Sequence, residues 1–264
     1  MEQLYEKYAA LSPEEQKQPY AKYYNRPFPV LPKEQQDILD YGSKMKESDV
    51  ILADNITDVL HPERITCENG YIRLKDGTGY IAAYHELPEV SFEMYQWWNE
   101  WRLQGDSTSR YKIWCPHKHL SCFFTYSSEE IGGKIEEIYF AVPVRDHPEE
   151  FGLSPDEMKK YGLLQADGGT ALSKPRDAGE VDVPMSTIVV HFIYPHPNGR
   201  GIVMRSRFWK GYTLMGGRII KMLAPGQSVR EEELRGMFEH NCLEMEYLSS
   251  LLPDLYREEK LRIS

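Results

Sequence analysis

The chain has 264 residues, 41% of them hydrophobic, and a net charge of −10. That length fits one large domain, or one domain with a smaller appendage, with ample material for a core. The acidic balance argues against a nucleic-acid surface, which needs clustered Lys and Arg. No apolar run approaches the ~20 residues that span a membrane, and the start, MEQLYEKYAALSPEEQ, lacks the apolar core of a signal peptide. Cys67, Cys115, Cys122 and Cys242 form no CxxC pair and no disulfide framework, so a reduced, cytoplasmic protein is expected. The 18 tyrosines and 5 tryptophans suit either a pocket for a polar aromatic ligand or a dimer interface.

The elements follow in chain order. Ser12-Pro13-Glu14-Glu15 starts a helix with proline in its first turn. Pro27, Pro29 and Pro32 then break the chain ahead of a second helix near Lys33–Lys46. This arm, residues 1–55, is too small for its own core and should pack on the body or on a partner chain. Asn69-Gly70 and Asp76-Gly77 are turn signals beside Tyr71–Leu74 and Gly79–Tyr84, which predicts antiparallel strands. Ser91 opens a helix on which Met94, Trp97, Trp98 and Trp101 recur at helical spacing, a core stripe rather than a cofactor box. From Tyr111 to about Trp209 the signals are mainly β, with strands expected at 119–126, 135–142, 186–194 and 201–210. Residues 195–201 turn one hairpin, and the Gly-, Pro- and Asp-rich stretch 145–180 is expected to be a long loop over a pocket. Ser228 then caps a long helix with Glu231, Glu232 and Glu233 in its first turns, running to Leu252 and ended by Pro253. An antiparallel sheet with a long C-terminal helix is an α+β arrangement.

Chemistry is legible first on that last helix. His240 and Glu244 fall on the stripe of Leu234, Met237, Leu248 and Leu251, one turn apart. A glutamate on an apolar stripe is expensive unless paired or metal-bound, and His and Glu at i, i+4 converge on one ion. A plain His–Glu hydrogen bond in the core is the competing reading. Upstream, an extended segment would put Tyr111, Cys115, His117 and His119 on one side. His119, which continues into the strand, is the better ligand and His117 the reserve. A fourth ligand has candidates in Glu129, Glu130, Glu136, Glu137, Glu149 and Glu150. His191, inside the apolar strand Thr187–Tyr194, is either a satisfied core residue or a general acid/base. Arg205 and Arg207 alternate with Met204, Ser206 and Phe208 and share a face, either exposed or lining a cavity.

Several segments together resemble a known family: Arg110–Trp114 with Pro116 and His119, Met204–Trp209, and His240–Glu246 with Leu252–Tyr256. This ordered set is similar to the 2,4-diacetylphloroglucinol hydrolase and phloretin hydrolase group over about residues 55–256. The resemblance implies a dimerisation region at 1–55 and a Bet v 1-like helix-grip catalytic domain at 56–264. It implies a homodimer and a zinc site of His119, Glu150, His240 and Glu244, with Glu130 as the competitor of Glu150. Tyr111 and Tyr212 are the implied substrate contacts. Where the family carries an asparagine shortly after the first ligand, this chain has Ser121 and Cys122.

The expected activity is hydrolysis of a carbon–carbon bond in a ketonic substrate. An acyl group would be cut from a polyhydroxylated ring, phloretin-like or acylphloroglucinol-like, by water activated at zinc, with His191 transferring a proton to the ring carbon. The other reading is a non-catalytic helix-grip carrier of a hydrophobic or aromatic ligand. His240 and Glu244 separate the two, because a carrier of apolar ligands gains nothing from a charged glutamate in its cavity.

Overall fold

The computed structural model describes residues 10–116, 118–119, 137–140, 148–173 and 185–263, with the backbone alone at 137–140, 150, 172–173, 185 and 263. Its N-terminal arm opens with a reciprocal cap. Ser12 N–H donates to Glu15 Oε2 at 2.6 Å and Glu15 N–H donates to Ser12 Oγ at 3.2 Å, which starts a short 3-10 turn over Glu15–Lys17. Helix α1, Lys33–Tyr41, is shorter than expected because Gly42, at φ 88°, ends it.

Strands β1 (Gly70–Arg73) and β2 (Gly79–Leu87) pair antiparallel across the Asp76-Gly77 turn. Helix α2, Phe92–Trp101, begins where Ser91 Oγ accepts Met94 N–H. The aromatic stripe is core: Trp98 and Trp101 are buried, with Met94 and Trp97 packed against them. The next segment departs from expectation. Ser107–Trp114 is a helix, α3, and not a strand. Asp106 caps it by accepting Ser109 N–H at 3.2 Å, and burial of Ser109, Lys112 and Ile113 outweighs the β preference of its bulky residues. Of the strand expected at 119–126, all but residue 119 lies outside the described residues.

Strand β3 covers Glu137–Phe140. The stretch expected to be a loop at 145–180 holds a 3-10 turn (Pro148–Phe151), helix α4 (Pro155–Lys160) and strand β4 (Gln165–Ser173). Gly168 and Gly169 conceal the strand from propensity. Gly168 is there because a Cβ would lie 2.0 Å from the Val189 carbonyl oxygen of the neighbouring strand. Strands β5 (Met185–Pro195) and β6 (Ile202–Lys210) form the expected hairpin, and β7 (Tyr212–Met215) pairs with β8 (Arg218–Lys221).

Among the described residues one antiparallel sheet has the order β1-β2-β6-β5-β4-β3. Helix α5, Glu231–Ile263, lies across one face against β1 and β2. Ile81, Phe208, Leu234, Phe238 and Leu243 fill the space between them. The opposite face, with Tyr80, Ile188, Val190 and Trp209, is covered by Ile51, Ile56, Val59, Leu60 and Leu153. The arm packs on the body. Tyr20, Tyr23 and Tyr24 join Trp98, Trp101 and Leu248 in a third cluster, and the Arg26 guanidinium donates to the carbonyls of Ile113 and Tyr247, tying α3 to α5.

Helix α5 also corrects the sequence reading at both ends. It starts at Glu231, three residues after Ser228, and it continues through Pro253. An interior proline costs ~3 kcal/mol, but burying Leu251, Leu252 and Leu255 returns ~1.5–3 kcal/mol each. Packing therefore outweighs the break.

Candidate metal centre

His240 and Glu244 sit at i, i+4 on α5, where Asn241 through Met245 are all buried. His119 arrives from α3. Its backbone N–H donates to Cys115 O at 3.1 Å, which extends the helical turn by one residue set. Tyr111, Cys115 and His119 therefore share a side through helical spacing, not through the strand alternation expected from sequence.

Three donor atoms converge. His119 Nε2 lies 3.3 Å from His240 Nε2, and each lies 3.6 Å from Glu244 Oε2. The Tyr111 carbonyl accepts from His119 Nδ1 at 2.9 Å, so the proton of neutral His119 is on Nδ1 and its lone pair points at His240. The Tyr111 ring stacks on His119 at 3.7 Å with a 4° tilt, which fixes the imidazole plane. Zinc with tetrahedral bonds of ~2.0–2.2 Å separates its N and O ligands by roughly 3.3–3.6 Å, the spacing seen here. Cys115, also buried, forms with His119 and His240 a group whose ligand atoms all lie within 4.8 Å of one another and could hold a metal ion.

Burial raises the Glu244 carboxyl, but the hydrogen bond to His119 and the charges of His240, His119 and His191 outweigh it and hold it down at about 2. Burial lowers His119, against the opposing pull of Glu244. The site thus offers a carboxylate at Glu244, an imidazole at His119 whose charged form burial disfavours, and a second imidazole at His240 beside them, a donor set compatible with a divalent cation.

Strand residues face this cluster across the interior. His191 pairs in register with Asp167 on β4 and Ser206 on β6. Its Nδ1 is 2.8 Å from Ser206 Oγ. Burial lowers its pKa, with Glu244 and Asp167 opposing. Asp167 Oδ2 accepts from Tyr95 Oη (3.0 Å), Asn99 Nδ2 (2.8 Å) and Gln165 Nε2 (3.0 Å). On the next row of β2, His85 Nε2 is 2.9 Å from Asn241 Oδ1. Sequence reading missed Asp167, Tyr95, Asn99, His85 and Asn241. Only His85 carried a signal, since it shares parity with the helix-facing Ile81 and Ala83 on β2.

Other candidates fall elsewhere. Tyr212 packs against the core on the far face of the sheet, away from the cluster. Arg205 and Arg207 do share a face, but it is that far face, where both bind Glu68 at 2.8 and 2.7 Å. Glu150 lies in the 3-10 turn Pro148–Phe151, and its side chain is outside the described part, as is that of Glu137; Glu149 is exposed. His117, Ser121, Cys122, Glu129, Glu130 and Glu136 lie outside the described residues.

Comparison with known proteins adds to this geometry. A family model described as DAPG hydrolase PhiG domain matches residues 51–138 and 125–257. The chain is 29% identical over 257 residues to phloretin hydrolase of Eubacterium ramulus, covering 94% of this chain and 92% of that protein. It is 26% identical over 278 residues to 2,4-diacetylphloroglucinol hydrolase of Pseudomonas protegens, covering 91% of this chain and 84% of that one. A 2,4-diacetylphloroglucinol hydrolase of a Pseudomonas species is likewise 26% identical, with 91% and 88% covered.

Proposed function

Because the chain belongs to the DAPG hydrolase PhiG domain family, we propose that it is a zinc-dependent hydrolase cutting the carbon–carbon bond between an acyl group and a polyhydroxylated aromatic ring. The observation that carries this reading is the triangle of His119 Nε2, His240 Nε2 and Glu244 Oε2, with edges of 3.3, 3.6 and 3.6 Å. Glu150 is the fourth ligand in this account, with Glu130 as its competitor and Cys115 as a nearby thiol donor. Tyr111 contacts the ring of an acylated phenol, and Tyr212, packed on the far face of the sheet, is given no such role.

Zinc supplies Lewis acidity: it lowers the pKa of water toward ~7 and polarises an acyl oxygen. The protein does the rest. An aryl carbon is a poor leaving group until a flanking hydroxyl lets the ring take its keto form, which turns the acyl unit into a β-diketone. Addition of water to the acyl carbon, rupture of its bond to the ring and protonation of the ring carbon give a free acid and a deacylated phenol. His191, whose charged form burial disfavours, takes up the proton that the adding water loses and delivers it to the ring carbon. Ser206 holds its Nδ1 edge, so Nε2 on the opposite edge is the transferring atom. The interior-facing polar row of half-buried Asp167 and His191 with buried Ser206 suits a hydroxylated ring better than an apolar cargo, which disfavours a carrier.

The sheet with α5 across it is read as a Bet v 1-like helix-grip domain at 56–264, and residues 1–55 as the dimerisation region of a homodimer. No helix among the described residues is long and apolar enough to cross a membrane, and the protein is assigned to the cytoplasm. The test is incubation of the zinc-loaded protein with phloretin, a diacylated phloroglucinol, another C-acylated phenol and a simple aryl ester, scored by release of phenol and acid. Turnover of the C-acyl compounds is expected. Turnover of the ester alone would replace the carbon–carbon assignment.

A further inference from the structure

Glu244 has two carboxylate oxygens, and the structure gives them different partners. Oε2 faces His119 and His240. Oε1 accepts from Asn241 Nδ2 at 2.9 Å. Asn241 is itself oriented, because its Oδ1 lies 2.9 Å from Nε2 of His85. Flipping that amide would set its oxygen against the Glu244 carboxylate, so the hydrogen bonds run one way: His85 Nε2–H to Asn241 Oδ1, then Asn241 Nδ2–H to Glu244 Oε1.

We propose that His85 and Asn241 form a relay that positions the Glu244 carboxylate for the metal ion, presenting Oε2 alone to the two imidazoles. This inference rests on the metal reading above. All three members are buried, so water does not compete for their hydrogen bonds. Asn241 and Glu244 are neighbours at i, i+3 on α5, while His85 projects from β2, so the relay couples the carboxylate to the sheet. His85 leaves its Nδ1 buried without a hydrogen-bond partner among the described residues. A residue serving only to fill that space would avoid an unpaired ring nitrogen. Partners behind a metal-bound carboxylate or imidazole govern its orientation and basicity. His85 and Asn241 are therefore positioning residues, not ligands.

The test is zinc affinity, measured by competition with a chromophoric chelator on the full-length protein stripped of metal. The visible spectrum of the cobalt-loaded protein reports the geometry, and thermal unfolding of the metal-free forms reports stability. Asn241→Ala should bind zinc roughly 10- to 100-fold more weakly than wild type and shift the cobalt bands. His85→Leu should weaken zinc in the same direction, and His85→Gln, which keeps a donor for Asn241, should recover most of it. If Asn241→Ala does not fold, the two His85 variants carry the comparison. A structural tie alone would lower the unfolding temperature and leave zinc affinity and the cobalt spectrum unchanged, which would overturn the relay. Wild-type protein that takes up no zinc would overturn the metal reading, and the relay with it.

Discussion

His119 and His240 meet nitrogen to nitrogen, with their Nε2 atoms 3.3 Å apart. Tyr111 O holds the His119 proton on the other edge of the ring. The gap therefore contains a lone pair of His119, and it is filled favourably only by a proton of His240 or by a cation. Burial lowers His119 and so disfavours the protonated form. The buried Glu244 carboxylate beside both rings supplies the charge that a divalent ion balances.

Tyr111 has two separable roles. Its ring stacks on His119, and in the proposed function its hydroxyl meets the substrate. Tyr111→Phe should keep the metal and raise KM by about tenfold, the loss of one hydrogen bond of ~1.4 kcal/mol. Tyr111→Ala should in addition weaken zinc binding, because His119 loses the ring that fixes its plane. Steady-state kinetics with metal analysis of both variants checks the split, and equal metal content and KM in all three proteins would remove both roles.

His191→Gln tests proton delivery. A positioned acid or base contributes ~10²- to 10⁴-fold, so kcat should fall by that order while zinc content stays at the wild-type level. A variant with unchanged kcat would return His191 to the status of a satisfied core histidine.

Acid sensitivity follows from His85. Burial lowers it from 6.5 to about 4, against the hydrogen bond to Asn241. Between those values the unfolded chain takes up a proton that the folded chain refuses. The stability contributed is complete above pH 6.5 and is lost as pH falls through about 4. One such proton corresponds to at most ~1.4 kcal/mol per pH unit. Urea unfolding of the metal-free protein should weaken across that window, and His85→Gln should weaken less steeply. His119 and His191, also lowered, keep the variant from becoming flat. Identical slopes would mean that His85 is already charged in the folded state.

The sheet, its hairpins and the α5 placement of His240 and Glu244 were legible in sequence because period-2 and period-3.6 patterns report which face is buried. His119 lies beside that pair, but through helical spacing and not strand alternation, because the Asp106 cap makes the apparent strand α3. Strand β4 was hidden by Gly168 and Asp167, whose places are set by the close neighbour strand and by Tyr95 and Asn99, far away in sequence. Pro253 misled because its local cost is offset by Leu255 packing on the aromatic cluster. Tyr212 rests on resemblance alone, with no periodicity behind it, and the tertiary structure packs it on the far face.

The central claim is that His119, His240 and Glu244 hold one catalytic zinc. Its most direct test is elemental analysis of the purified protein beside His240→Ala, with turnover of a C-acylated phenol followed before chelation, after it, and after zinc is restored. About one zinc per chain in the wild type, little in the variant, and turnover that disappears and returns with the metal are the expected results. A metal-stripped protein that retains full turnover, or a His240→Ala protein that retains its zinc, would contradict the account.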